Sequence, residues 1–330
     1  MKNIRWLREY LAMLAIWAAL MLLFGALSEH FLTASTLGTL ANRIPALTVV
    51  AVGMTFVLII GGIDLSVGSL LALAGAVLGM VLVDWQWPLW LAMLACLGVG
   101  GLAGTANGLI SVRLGIPSFI VTLGMLEIAR GLAFLVTDSR SKYIGGSVEM
   151  ITRPFDGLGI SPAFIIALLV VVAGQVVLSR TVFGRHLVAI GTNEAAVRLA
   201  GINPRWPKIA VFSLTGLLTG LGAIFYTSRL GSSDPNAGVG LELSAIAAVV
   251  IGGTSLMGGR GSVVTSFLGV LIIATLEAGL AQVGATEPAK RVITGSVIII
   301  AVVLDAWRHR AAGSGLSWLW RMFHRPSPQS

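Results

Sequence analysis

The chain has 330 residues, 56% of them hydrophobic and 11% charged, with a mean hydropathy of +0.93 and a formal net charge of +8. This excludes a soluble globular domain, because too few polar residues remain to coat the core they would enclose. The positive charge then reads as loop asymmetry across a bilayer rather than as a nucleic-acid surface, and the lone cysteine, Cys96 in an apolar run, excludes a disulfide framework or a thiolate metal cluster.

A spanning helix needs about 20 mostly apolar residues. On that measure an all-α, polytopic bundle of about ten spans is expected, near 11–28, 45–61, 66–83, 89–111, 117–137, 161–179, 209–228, 243–257, 262–283 and 291–307. The whole of 1–330 reads as one transmembrane domain. The first apolar run follows a basic start, as in a signal peptide. It has no small-x-small cleavage pattern and many spans follow it, so it reads as an uncleaved helix. The runs 45–61, 66–83 and 243–257 are short and interrupted by glycine, so broken helices are expected there. Most Lys and Arg fall on the side that carries both termini, which makes both ends cytoplasmic. Trp6, Trp85, Trp87, Trp90, Trp206 and Trp307 lie at expected span ends.

Residues 180–208 form the longest polar run inside the chain, on the cytoplasmic side of this topology. Within it a short helix is marked at both ends. Asn193 can cap it, Glu194 sits in its positive first turn, and Gly201 stands where a left-handed residue would stop it. Glu194 and Arg198 are four apart on one face, and Ala195, Ala196, Leu199 and Ala200 make a small smooth face suited to a groove on a partner.

Three further stretches carry polar groups between apolar runs. In GGIDLSVGS (61–69) Asp64 is either a cap for the following helix, accepting from Ser66 or Val67, or a group lining a path. Glu127 and Arg130 lie three apart inside an expected span, either as an intrahelical pair or as path residues. Asp234-Pro235-Asn236-Ala237-Gly238 reads as a turn on the outer side, a plain loop or a docking surface. Ile60–Ser66 is echoed in outline by Ile251–Met257, a sign of paired broken helices or of glycine-rich packing alone. No G-x-x-x-x-G-K frame, HExxH or Cys/His cluster occurs, so the chain is expected to be no enzyme and to bind no cofactor of its own.

The motifs GGIDLSVGS (61–69), ANGLISVRLGIPSFIVTLGMLEIARGL (106–132), GRHLVAIGTNEAAVRLAGI (184–202) and SRLGSSDPNAGVGLELSAIAAVVIGGTSLMGGRGSV (228–263) together resemble the membrane subunit of ribose-type ABC monosaccharide importers. That resemblance implies a bacterial inner-membrane permease working by alternating access, paired with a second copy or a paralogue. It also implies a separate cytoplasmic ATPase with tandem nucleotide-binding domains, which holds the ATP and Mg, and a periplasmic sugar-binding protein. The family's coupling loop falls on Gly184, Arg185, Asn193, Glu194, Ala195, Ala196, Arg198, Leu199 and Gly201. Asp64, Ser66, Asn107, Thr122, Glu127, Arg130, Asp234 and Asn236 are the expected path residues. The competing reading is an ion-coupled secondary sugar transporter acting alone through Asp64, Glu127 or Glu277.

Overall fold

A computed structural model describes residues 2–157, 159–300 and 302–303. The helices are α1 (Lys2–Leu27), α2 (Ala34–Arg43), α3 (Pro45–Ile59), α4 (Val67–Val83), α5 (Leu89–Leu114), α6 (Ser118–Val136), α7 (Pro162–Arg180), α8 (Val182–Leu199), α9 (Arg205–Leu230), α10 (Leu241–Ile251) and α11 (Val263–Gln282). Residues 287–300 and 302–303 are again helical, and the expected span 291–307 runs beyond the described residues. The strands among the described residues are β1 (Lys142–Tyr143) and β2 (Ser232–Ser233), antiparallel with Lys142 opposite Ser233. The protein is an all-α, polytopic membrane bundle. Among the described residues six helices are long and apolar enough to cross a bilayer, α2 and α3 form a pair bent by 45°, and α4 and α10 are shorter apolar helices.

Each broken element has a local cause. Pro45 opens α3 directly after Ile44, which closes α2, so the ring and the missing N–H bend the pair there. The expected span 243–257 is cut to Leu241–Ile251 because Gly252 and Gly253 end the helix. Gly252 N–H donates to the Ala248 carbonyl, Gly253 to Val250 and Thr254 to Val249. The end of α3 repeats this pattern: Ile60 N–H donates to Phe56, Gly61 to Leu58 and Gly62 to Val57. Gly61 and Gly253 both have positive φ, +73° and +83°, as that left-handed stop requires. The echo between the two stretches is therefore a shared backbone stop, one residue out of the register that the sequence suggests.

Helix α3 is the centre of the bundle, buried at every position except Leu47. Helix α9 runs against it, with Thr215 Oγ1 donating to the Gly53 carbonyl at 3.2 Å. On its other side α9 meets α5 through glycines four residues apart: Gly100, Gly104 and Gly108 face Gly216, Gly220 and Phe212. A Cβ at Gly104 would strike the Phe212 carbonyl, and one at Gly216 would strike the Gly100 carbonyl, so the backbones touch. In a bilayer, where lipid removes the hydrophobic drive between helices, such contact supplies the dispersion that holds the pair.

Candidate functional site

Helices α3 and α9 run in opposite senses, Gly53 meeting Thr215 and Ala46 meeting Gly222, and one end of the bundle gathers around Glu194. The sequence reading has this region as a loop holding one short helix. Instead α7 reaches Arg180, α8 begins at Val182 and α9 begins at Arg205, so little of 180–208 is irregular. Within α8 the backbone leaves helical geometry only at Asn193 (φ −160°, ψ 95°). Asn193 Oδ1 accepts from the Ala196 N–H at 3.0 Å, and Gly201 has φ +79°, so the helical turns after Asn193 are capped and stopped at the expected residues.

Arg198 donates to Glu194 Oε1 at 2.5 Å, and Lys208 Nζ donates to Oε2 at 2.9 Å. Burial alone would push the Glu194 carboxyl up, but the hydrogen bonds and charges of Lys208 and Arg198 outweigh it and hold the carboxyl below its usual range. Ala195, Ala196 and Leu199 are exposed, Leu199 at 90%, while Val197 points into the core. Arg185 is exposed, but Gly184 is buried: a Cβ there would strike the Leu178 carbonyl, so this glycine lets α8 fold back on α7.

A cleft of about 520 Å³ opens beside this helix, lined by Glu194, Arg198, Arg205, Lys208, Ser118 and residues 60–63 among others. The strip 62–66 joins α3 to α4 without helical bonds, and its N–H groups find partners one by one. Gly62 donates to Val57, Ile63 to Ser118 Oγ, Leu65 to Thr122 Oγ1 and Ser66 to Asp64 Oδ1. Irregular backbone at this depth is tolerated only with such accounting. Asp64 accepts from the Ser66 N–H, one of the two N–H groups expected, but it does not cap α4: the N-cap is Ser66, and no side chain caps that helix. Asp64, Ser66, Asn107 and Thr122 are all fully buried in this conformation, so none of them lines an open surface.

The opposite end gathers around the turn 234–238. Asp234 Oδ1 accepts from the Asn236 N–H at 2.8 Å, which forms the expected turn. The expected Glu127–Arg130 pair does not form: Glu127 is exposed, and Arg130 Nη1 donates to the carbonyls of Pro235 at 2.6 Å and Ala237 at 2.9 Å. A five-donor guanidinium is better used on two carbonyls of an irregular turn than on an exposed carboxylate one turn away. The clamp could not be read from local sequence, because its partners lie 105 and 107 residues away along the chain.

Beside that turn lies a second cavity of about 280 Å³, lined by Arg43, Tyr226, Arg229, Asn236, Ser244 and Glu277 among apolar groups. Arg43 pairs with Glu277 at 3.4 Å, and the Arg229 guanidinium stands 5.5 Å from the centre of the Tyr226 ring. Of these residues Asn236 is expected in a path from the sequence, and Glu277 only as an ion site of the competing reading. Apart from Asn236 they lie in four separate elements, and no spacing signal joins them.

These features define a multi-spanning permease with a polar cavity at each end of the α3–α9 pair. Residues 36–302 match the family described as branched-chain amino acid transport system / permease component, and the chain belongs to it. It is 38% identical to the ribose import permease protein RbsC of Escherichia coli (strain K12), covering 91% of this chain and 94% of that one. Identity to RbsC of Bacillus subtilis is 40%, over 87% and 89%. Identity to the fructose import permease protein FrcC of Rhizobium meliloti is 33%, over 87% and 82%. No solved structure gives a significant match.

Proposed function

We propose that this chain is the membrane subunit of an ATP-binding-cassette importer for a monosaccharide, ribose or a related sugar, in the inner membrane of a bacterium. The observation that carries the reading is the capped turn after Asn193, which holds Leu199 almost wholly exposed while Glu194 ties it to the first turn of α9. An ATPase that grips Ala195, Ala196, Arg198 and Leu199 from the cytoplasm would move α9 through Lys208, and α9 carries that motion about 39 Å to the far cavity. Hydrolysis of ATP with Mg belongs to that partner, and a periplasmic binding protein delivers the sugar at the Asp234 end. A second permease subunit completes the pathway.

Within this chain the path runs past Asn236, Tyr226, Arg229 and Glu277. An aromatic ring can cover the C–H face of a sugar while amide, guanidinium and carboxylate bond its hydroxyls, without the tight grip that would stop release. Asp64, Ser66, Asn107 and Thr122 support the path from behind. The test is reconstitution in liposomes with and without the ATPase and binding protein. Uptake only with both partners and ATP is expected. Uphill uptake by this chain alone under an ion gradient would reject the reading.

A further inference from the structure

Asp64 and Asn107 are wholly buried at the break between α3 and α4, and each leaves one oxygen, Asp64 Oδ2 and Asn107 Oδ1, without a hydrogen-bond donor. Both belong to one network. Asn107 Nδ2 donates to Ser66 Oγ at 3.0 Å, and Ser66 Oγ donates to Asp64 Oδ1 at 2.6 Å. The Ser66 N–H also donates to Oδ1, so every donor this carboxyl receives meets the same oxygen. Among the described residues no Lys or Arg forms an ion pair with Asp64. The neighbouring groups on α6 are Ser118 and Thr122, whose hydroxyls are taken up by the backbone of the strip.

An ionised carboxylate sealed here, with one oxygen bare and no counter-charge, would be destabilised by its lost hydration. Un-ionised, the group turns its bare oxygen into a donor, and the amide oxygen in the same network lacks one. We propose that Asp64 is a proton-binding site: in this conformation it is a neutral carboxylic acid with the proton on Oδ2, and Asn107 Oδ1 is the acceptor that the proton serves. A sodium ion held between the two bare oxygens is the competing occupant. This proposal stands apart from the choice of sugar or of partners, since its measurements need neither.

The experiment uses the full chain in detergent, grown with isotope-labelled aspartate and examined by infrared difference spectroscopy. A protonated aspartate carbonyl band is expected to persist at mildly alkaline pH, to vanish in Asp64→Asn, and to shift in Asn107→Leu when its acceptor is removed. If Asp64→Asn does not fold, the Asn107→Leu shift carries the assignment. Absence of the band in the unaltered protein, or a band indifferent to Asn107→Leu, overturns the proposal. So does a thermal midpoint that rises in sodium chloride relative to choline chloride.

Discussion

Lys208 Nζ lies 2.9 Å from Glu194 Oε2, across 14 residues of chain, and this contact joins the exposed turn after Asn193 to the first turn of α9. Arg198 takes the other carboxylate oxygen, so one acid is shared between the turn itself and the helix it would drive. The pair is part-exposed, and such pairs contribute about 1 kcal/mol or less to stability. Its use is therefore geometric. Lys208→Gln is expected to leave membrane insertion and the thermal midpoint nearly unchanged, while sugar-stimulated ATP hydrolysis by the assembled complex falls several-fold. Full stimulation in that variant would remove α9 from the transmission route.

Exchanging the two charges, Glu194→Arg with Arg198→Glu, tests the same contact more sharply. The exchange restores an opposite pair four apart on the helix, but it turns a positive charge at position 194 against Lys208. If the helix needed only its internal pair, coupling would survive. Loss of coupling is expected, with partial recovery when Lys208→Glu is added, measured as ATP hydrolysed per sugar imported.

The pH dependence of this contact has a definite sign. The Glu194 carboxyl is held below its usual range by Lys208 and Arg198, against the opposing effect of burial. A depressed folded value means that the contribution is fully present above the unfolded carboxylate value, about 4.3, and is lost as pH falls through the folded value. Accessibility of a Val197→Cys probe, buried beneath this turn, is thus expected to stay low from neutral pH down to about 4.5 and to rise below it. Glu194→Gln should abolish that rise.

How much of this is legible in the chain depends on the range of the signal. The capped turn at Asn193–Gly201 can be read because every group that defines it is close in sequence, and the apolar runs that become α5, α6, α7, α9 and α11 are long enough to stand without context. The shared stop at Gly61 and Gly253 is visible as an echo, though out of register by one residue. What cannot be read are pairings over long separations. Arg130 takes the carbonyls of Pro235 and Ala237 over Glu127, and Glu277 finds Arg43. Membrane burial makes such choices decisive, because a charge at depth takes whichever partner the packing brings, not the nearest in sequence.

The close crossing of α5 and α9 gives a prediction about stability rather than transport. Gly104 faces the Phe212 carbonyl and the Gly216 backbone with no room for a side chain. Gly104→Val is expected to separate the helices and to lower stability by about 1–3 kcal/mol or more, as overpacking does. Gly98 has open space around its Cβ position, and Gly98→Ala is the matched control. Thermal midpoints of the two variants in detergent make the comparison, and equal midpoints would show that the helices can part freely.

The Arg130 clamp allows the cleanest separation of a structural from a path role. Its guanidinium holds two carbonyls of the 234–238 turn, and hydrogen bonds to a charged group contribute about 1.5–3 kcal/mol. Arg130→Gln cannot span both carbonyls, so the turn should loosen and the thermal midpoint should fall. Arg130→Lys keeps the charge but loses the planar fork, and an intermediate result is expected. The local effect can be read directly with Asn236→Cys, since Asn236 is exposed and the native Cys96 is buried. Labelling of that cysteine should quicken in the Arg130→Gln background. Slowed transport with an unchanged midpoint and unchanged labelling would mean instead that Arg130 meets the solute.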